Sequence, residues 1–455
     1  MTINYYGELE MKRFCILSLY IFFVSLLYAQ TVEVDGAYRW TGVNRALEVD
    51  GHYRCTGVNK SETGLDYVFV IPSSSQATIR FNSTSGSPVN WYRFDRTGVN
   101  NKTPISNGNS LTYSSAEKDY GYVIEQGDAS IYLWLSTYKE VSSLYADEEY
   151  ANQCEDVRLA GTGLDIAYYT VNGKWKGVNR AVAYKTWKWD DTLKDLKMVE
   201  DTVQGLVSKS GETVSLYAPA PYEKTLFTVI DSIPYKGWNG AIKTFSTSDE
   251  YEPWAILMKA VVSQQLRDAK NEWNTAPEDG SFGGSAPVEM EFKAYVSGDN
   301  YYAWEFMQEN PSEVDDPIVD AIYPDKILRY TFKDEGTTYV RLKATNSYCS
   351  RDTSFTITVG ESRLEAPNIF SPGTSPGVND EWKVAYKSIV QFKCWIFNRW
   401  GVEIFRFSDP AQGWDGKYKG KLVPPGVYYY IIEAKGADNQ NYKLKGNINI
   451  LRPRN

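Results

Sequence analysis

Residues 390–407 have the sequence VQFKCWIFNRWGVEIFRF. Apolar side chains occupy every second position from Val390 to Ile396, which is the period of a β-strand with one buried face. The sequence NRWG at 398–401 follows, and its glycine can take the positive φ that a tight turn requires. Residues 402–407 then continue as a return strand. The stretch therefore predicts a β-hairpin.

The hairpin belongs to a series of motifs that fills the end of the chain. They are NIFSP (368–372), GVNDEWKV (377–384), IFNRWG (396–401), GWDGKYKGK (413–421) and VPPGVYYYII (423–432). In this order and spacing they resemble the gliding-motility-associated C-terminal domain, the type B sorting domain of the type IX secretion system of Bacteroidetes. The resemblance covers residues 366–455, about a fifth of the chain. It implies transport across the outer membrane to the cell surface or the medium, with the type IX secretion machinery as partner.

The resemblance also assigns the motif residues of this sorting domain. They are Asn398, Arg399, Trp400, Gly401, Gly413, Trp414, Asp415, Gly416 and Gly426. We expect the two tryptophans to pack in the core, because so small a domain depends on large aromatic side chains. The turns around Asn398 and Asp415 are expected to display a surface to the machinery. The family often carries an Asn-Gly-Asp-Gly run suited to a hard cation. Residues 373–377 hold no carboxylate, so we predict no metal site.

The start of the chain has the pattern of a secretory signal. Lys12 and Arg13 precede an apolar run at 14–27, which is too short for a membrane span. We expect residues 1–30 to be an N-terminal extension and signal peptide, cleaved between Ala29 and Gln30. The true start is either Met1 or Met11. No other long apolar run follows, so we expect no membrane span in the mature chain.

Composition and charge narrow the function classes. The 455 residues include 35 Tyr and 14 Trp, and the net charge is −9. Abundant aromatic residues are typical of a β-rich extracellular protein. The acidic balance argues against nucleic acid as a partner, because binding phosphates needs a basic surface. The predicted fold class is all-β, with tandem immunoglobulin-like β-sandwich domains.

Turn signals and short apolar runs divide the mature chain into domains. A tandem duplication, VDGAYRWTGVNRALE then VDGHYRCTGVNKSE, gives a 15-residue hairpin repeat over 31–62. Strands at intervals of about ten residues predict an Ig-like sandwich over 63–151 and a second β-rich domain over 152–277. The run EGTTYVRLKATN followed by DTSFTITV resembles the end of polycystic-kidney-disease (PKD) domains and implies a PKD-like sandwich over 288–361. Residues 274–287, rich in Gly, Ser and Pro, are predicted to be a linker or an exposed loop.

Several local features leave alternatives open. The run EPWAILMKAVVSQQLRDAKNEW at 252–273 fits a strand or an amphipathic helix, and its β-rich surroundings favour the strand. After removal of Cys15 with the signal, the remaining cysteines are Cys55, Cys154, Cys349 and Cys394. They lie far apart, so we expect buried free thiols rather than bridges, although the exported location permits disulfides. Three short sequences resemble bacterial O-glycosylation sites, at Thr192, Thr202 and Ser232.

The sequence does not predict an active site. Its one histidine, His52, lies in the duplicated hairpin, where the other copy has Ala37. No nucleophile motif, zinc motif or phosphate-binding loop stands in a fitting context. We therefore expect a non-enzymatic protein without cofactor, exported to the cell surface or secreted, which binds glycan or protein ligands. The alternatives are an accessory component of the secretion or gliding apparatus and a hydrolase that uses two carboxylates.

Overall fold

The computed structural model describes residues 31–34, 38–39, 48–49, 52–53, 59–72, 77–82, 87–108, 112–238, 240–277, 280–374, 377 and 379–451. Strands dominate them, and each of their helices has six residues or fewer. The all-β prediction is confirmed. The chain forms two compact units. The first contains Met1–Lys139, Ile166–Val178 and Ser232–Ile242, and the second contains Glu140–Asp165, Asn179–Asp231 and Lys243–Asn455. Among the described residues, no helix is long and apolar enough to cross a membrane.

The first unit is built on a two-sheet sandwich. Its strands are β1 (Thr31–Val34), β2 (Tyr38–Arg39), β3 (Glu48–Val49), β4 (His52–Tyr53), β5 (Tyr67–Ile71), β6 (Ala77–Asn82), β7 (Val89–Phe94), β8 (Thr103–Gly108), β9 (Thr112–Ala116), β10 (Tyr120–Gln126) and β11 (Ala129–Thr137), with helix α1 at Lys60–Thr63. The sheets have the orders β1-β6-β9 and β2-β5-β11-β10-β7-β8. Phe81 from the first sheet and Trp91 from the second share one buried cluster, so the sheets pack face to face.

The next stretch of chain contributes to both units. Its elements are β12 (Ser143–Ala146), β13 (Asp156–Thr162), β14 (Ala167–Tyr169), β15 (Trp175–Gly177), β16 (Arg180–Asp190), β17 (Asp195–Ser210), β18 (Thr213–Pro219), β19 (Thr228–Asp231), helix α2 (Ile233–Trp238) and β20 (Lys243–Ser246). The hairpin β14–β15 and α2 belong to the first unit. Through Tyr168 and Ile233 they cover the face of its six-stranded sheet that carries Trp134. The other strands form a seven-stranded sheet of the second unit, in the order β12-β13-β18-β17-β16-β19-β20.

A second sandwich follows within the second unit. Its strands are β21 (Met258–Gln265), β22 (Phe282–Gly284), β23 (Val288–Val296), β24 (Tyr301–Met307), β25 (Val319–Tyr323), β26 (Ile327–Phe332), β27 (Gly336–Thr345) and β28 (Ser350–Val359). The sheets β21-β23-β26 and β22-β28-β27-β24-β25 share a core that includes Phe292 and Trp304. Within the run at 252–273, the strand interpretation is confirmed for the residues of β21.

The prediction of a linker or exposed loop at 274–287 fits Asn274, Gly280 and Ser281, which are exposed, but is wrong for residues 282–286. Residues 282–284 pair with β28 as a parallel edge strand, and Ser285 and Ala286 are fully buried. A Cβ on Gly283 would lie 2.0 Å from the carbonyl oxygen of Thr358, and its φ is +124°. Glycine and serine serve close packing here rather than flexibility.

The last part of the second unit is the C-terminal sheet. Its strands are β29 (Arg363–Glu365), β30 (Ile369–Phe370), β31 (Ala385–Lys387), β32 (Ile389–Phe397), β33 (Glu403–Phe407), β34 (Lys417–Tyr418), β35 (Lys421–Leu422), β36 (Gly426–Gly436) and β37 (Asn441–Ile450). Five of them form the main sheet, in the order β30-β37-β36-β32-β33. The other four form the pairs β29-β31 and β34-β35, and the name C-terminal sheet includes all nine strands. The predicted hairpin is confirmed, because β32 pairs with β33 antiparallel.

The cysteine prediction is wrong for one pair and confirmed for one residue. Cys154 and Cys349 form a disulfide across 195 positions of sequence. They lie in two distant turns that only the fold brings together. Cys394 is a free thiol and is 1 % exposed. Cys55, the signal peptide with Ala29 and Gln30, and most of the repeat at 31–62 lie outside the described residues.

Candidate functional site

Two tryptophans join the motif at 377–384 to the motif at 413–421 in the core of the C-terminal sheet. Trp382 and Trp414 are both fully buried, and each donates its backbone N–H to the carbonyl of the other at 2.8 and 3.0 Å. Their indole N–H groups donate to the carbonyls of Pro367 and Lys417 at 2.6 and 3.0 Å. Core packing of Trp414 is therefore confirmed, and the polar atom of each ring is satisfied.

The turn after Trp414 is fixed by its own side chain. Asp415 accepts the backbone N–H of Lys417 at 3.1 Å and the ammonium group of the same residue at 2.7 Å. Gly416 is buried beside this turn, Gly413 is half-buried, and Gly426 is exposed at the start of β36. These motif residues shape loops at one end of the sheet.

The turn between β32 and β33 projects into solvent. The side-chain oxygen of Asn398 accepts the N–H groups of Trp400 and Val402, each at 3.0 Å, and Gly401 has a φ of +79°. Trp400 is 72 % exposed, and the Arg399 guanidinium lies 4.2 Å from the centre of its ring. The prediction that Trp400 packs in the core is wrong, because it lies at the tip of the turn, beyond the sheet.

This turn adjoins an exposed apolar surface on the sheet. Tyr429 and Ile431 of β36 are 47 % and 44 % exposed. Together with Phe397, Arg399 and residues 445–447 of β37, they line a shallow cavity of about 690 Å³. We call this surface, together with the turn at 398–401 that carries Trp400, the turn surface. Exposed rings beside a cation suit the binding of a protein partner, since aromatic residues and Arg dominate binding energy at interfaces.

A buried polar network fastens the C-terminal sheet to the sandwich before it. The Glu272 side chain is 0 % exposed and forms an ion pair with Arg267. Its carboxylate also accepts the hydroxyls of Ser285 at 2.6 Å and Tyr386 at 3.3 Å. The Ser285 hydroxyl oxygen in turn accepts the backbone N–H of Ser388 at 2.7 Å. We call these five residues the Glu272 network.

Main-chain bonds reinforce this attachment. Trp273 donates its N–H to the carbonyl of Tyr386 at 2.8 Å, and Tyr386 donates its own to Asn271 at 3.0 Å. The segment before β22 is therefore joined to β31 as well as to its own sandwich. Burial, and then the charge of Glu272, raises the pKa of the Tyr386 phenol, which stays protonated as a hydrogen-bond donor.

A second polar contact fixes residues 360–366, which connect the second sandwich to the C-terminal sheet. The Ser362 hydroxyl donates to Asp438 at 2.7 Å, and its N–H donates to the same carboxylate at 3.0 Å. Burial alone would raise the pKa of Asp438, but the hydrogen bonds from Ser362 and Gln440 bring this pKa below its usual value. The connection at 360–366 is thus tied to the sheet.

Sequence reasoning missed the Glu272 network. Arg267 and Glu272 are five residues apart, in a stretch predicted to end in a linker, so no local pattern identified them. The three predicted O-glycosylation sites do not lie together. Thr192 and Thr202 are exposed on the β16–β17 hairpin, and Ser232 is half-buried before α2. Within the described ranges, no His, Cys, Asp and Glu side chains are grouped to hold a metal ion.

Comparisons with known proteins identify the C-terminal sheet. The family model described as the CHU_C type IX secretion signal domain matches residues 364–450. A comparison with curated proteins finds no match.

Solved structures give weak likenesses over longer stretches. The N-terminal eight Ig domains of Down Syndrome Cell Adhesion Molecule align at 12 % identity over 84 % of this chain and 53 % of that chain, with a TM-score of 0.21. Sidekick-1 immunoglobulin domains 1–5 align at 9 % identity over 84 % and 96 %, with a TM-score of 0.23. Three domains of the bacteriophage RB49 outer capsid protein Hoc align at 9 % identity over 70 % and 100 %, with a TM-score of 0.21. The chain spans about half the length of the first of these, and TM-scores this low carry no argument about function.

The family match and the folded motifs agree in position. The match begins at the second residue of β29 and ends at the last residue of β37, so it covers all but one residue of these strands. Residues 364–450 of this all-β chain are a CHU_C type IX secretion signal domain, which directs export across the outer membrane.

Proposed function

We propose that this chain is a non-enzymatic protein of the cell surface or the medium, which binds ligands through the domains that precede its secretion signal. The proposal includes a signal peptide cleaved after Ala29, an origin in Bacteroidetes and a PKD-like character of residues 288–361. The single observation that carries the proposal is the secretion signal domain at 364–450. Such a domain supports delivery of the protein to the cell surface or the medium. The β-sandwiches that it carries suit a binding role, because loops on a rigid sheet scaffold commonly carry binding residues.

The turn surface is proposed to contact the secretion machinery. Trp400 at 72 % exposure, with Arg399 against its ring, offers a large contact area on a fixed turn. The sorting-motif residues Asn398 and Gly401 then shape the turn.

Truncation tests the proposal. The full chain and a chain that ends at residue 361 would be expressed with the same internal tag in a host with a type IX system. Cells would be labelled with a reagent that cannot cross the outer membrane. We expect labelling of the full chain and periplasmic retention of the truncated one. Equal surface labelling of the truncated chain would refute an export role of the C-terminal domain.

A hydrolysis screen tests the non-enzymatic part. The purified chain is expected to leave polysaccharides and peptides intact. Turnover that a single Asp or Glu substitution abolishes would overturn this part of the proposal while leaving the export role in place.

A further inference from the structure

A cleft in the second unit lies where several loops meet. It has a volume of about 710 Å³ and is lined by the loop before β13, the turn after β18, the segment before β21 and the β23–β24 and β27–β28 turns. Trp254 and Tyr348 form its aromatic part, and we call it the Trp254 cleft. A volume of this size is in the usual range of small-molecule sites, about 300–1,000 Å³.

The two aromatic rings form a flat platform. The rings of Trp254 and Tyr348 are stacked, with centroids 4.0 Å apart and planes within 8° of each other. Tyr348 is nevertheless 63 % exposed, so the side of its ring away from Trp254 is open to solvent. A single exposed ring is common on protein surfaces, so exposure alone does not indicate a ligand. The distinguishing feature of Tyr348 is its parallel stacking on Trp254 within a cleft.

The platform is held rigidly before any ligand arrives. The side-chain oxygen of Asn346 accepts the N–H groups of Tyr348 at 2.9 Å and Cys349 at 2.7 Å. The amide nitrogen of Asn346 donates to the carbonyl of Trp254 at 2.8 Å. The disulfide of Cys349 with Cys154 fixes the loop from the other side. One asparagine and one disulfide therefore set both rings, which lowers the entropy lost on binding.

The rest of the lining is rich in carboxylates, beside Tyr222, Tyr251, Pro253 and Ala255. Glu148, Glu223, Glu252 and Asp299 line the cleft against a single cation, Lys224. The Glu223 carboxylate is oriented by the indole N–H of Trp187 at 2.8 Å. Lys224 lies 3.6 Å from Glu250 and 3.7 Å from Glu252, so its charge is already balanced. An acidic lining repels anions and offers acceptors to hydroxyl groups.

These features together match the chemistry of a neutral sugar. A pyranose ring has an apolar C–H face, which packs on a flat aromatic ring, and a rim of hydroxyls, which bind carboxylates and amides. We propose that the Trp254 cleft binds a neutral saccharide, with Tyr348 as the stacking residue. This inference rests on the proposed binding function and names its ligand class. Sulfated or uronic-acid sugars are excluded by the acidic lining.

The test uses the full chain and a panel of neutral hexasaccharides of glucose, mannose, xylose and N-acetylglucosamine. Binding would be measured by calorimetric titration, with saturation-transfer NMR to locate the contacted sugar protons. A hexamer of galacturonic acid serves as the anionic probe and an unstructured peptide pool as the protein-ligand probe. We expect at least one neutral sugar to bind with a Kd of about 1 mM or tighter.

Three variants locate the binding in the Trp254 cleft. Tyr348→Ala removes the platform, and we expect the Kd to rise at least about tenfold, as for an aromatic hot spot. Tyr348→Phe keeps the ring and should stay within about twofold. The matched control is Tyr235→Ala, since Tyr235 is 58 % exposed but does not line the cleft. It should leave the Kd unchanged.

Three results would overturn the inference. They are an absence of binding to every neutral sugar, tighter binding of the anionic hexamer or the peptide pool, and a Tyr348→Ala variant that behaves as Tyr235→Ala does. Because Tyr348 is exposed, its variants are expected to fold, and intact mass would verify the disulfide. Export of the same variants would be measured separately, by surface labelling of intact cells. A variant that reaches the surface but loses sugar binding separates the cleft from the export role.

Discussion

Removal of the Glu272 carboxylate should loosen the C-terminal sheet from the sandwich before it. The Glu272 side chain is fully buried and the Arg267 side chain is 29 % exposed. The substitution Glu272→Ala leaves the guanidinium and the hydroxyls of Ser285 and Tyr386 without their shared acceptor. Breaking a buried pair by removing one partner costs about 3–5 kcal/mol. Arg267 keeps the carbonyls of Ser285 and Pro287 as acceptors, so we expect the lower end, about 3 kcal/mol.

Hydrogen exchange measures this loss where it occurs. The amides of Trp273 and Tyr386 are bonded across the attachment, so they exchange only when it opens. A loss of about 3 kcal/mol corresponds to exchange roughly 100-fold faster, at 1.36 kcal/mol for each factor of ten. Peptides that contain these amides would be followed by mass spectrometry at constant pH.

The control is the exposed ion pair of Arg363 and Glu365 on the neighbouring strand. Their side chains are 65 % and 54 % exposed. Glu365→Ala should cost roughly 0–1 kcal/mol, as surface pairs do. If Glu272→Ala accelerates exchange no more than Glu365→Ala, the Glu272 network does not hold the sheet, and the reasoning from burial is refuted.

The remaining predictions concern the disulfide, the free thiol and the two motif tryptophans. Replacing both Cys154 and Cys349 by Ser should lower the stability of the second unit by up to about 5 kcal/mol, because their loop is long; an unchanged urea midpoint would contradict this. Burial raises the pKa of Cys394 from 9.0 to about 12, so the thiol should resist alkylation at about pH 8 until the protein unfolds. The unfolded chain loses this proton first, so the stability contributed by the neutral thiol is present below pH 9.0 and is lost as the pH rises toward about 12; a Cys394→Ala variant should lack this part of the alkaline destabilisation. Trp414→Ala should cost about 3–5 kcal/mol, whereas Trp400→Ala should change thermal stability little and reduce surface labelling; equal melting points of the two variants would refute the assignment of one to the core and the other to the turn surface.

The sequence predicted the parts of this fold that depend on local pattern. Alternation from Val390 to Ile396 and a glycine at 401 suffice for the β32–β33 hairpin, because period and turn chemistry are properties of neighbouring residues. Trp414 was placed in the core because so small a domain depends on large aromatic side chains, and the structure buries it. The strand at 258–265 was recovered from its β-rich surroundings.

Features that depend on distant contacts were not predicted. Cys154 and Cys349 meet only after two separate segments have folded, so their spacing in sequence carries no signal. Ser285 is buried because it contacts Glu272 and Ser388. The composition of residues 274–287, rich in Gly, Ser and Pro, had instead predicted a linker or an exposed loop. Trp400 was placed wrongly because composition cannot distinguish a ring that fills a core from a ring at the tip of a turn. The Trp254 cleft was not predicted either, because its lining comes from five separate stretches of chain.

Transfer of the C-terminal part to another protein tests whether it directs export. Residues 256–455, which retain the Glu272 network and the second sandwich, would be attached to a reporter protein that is normally periplasmic, in a host with a type IX system. Surface accessibility of the folded reporter would then be measured by protease treatment of intact cells. We expect the reporter to become accessible. A folded fusion that remains protected in the periplasm would contradict it.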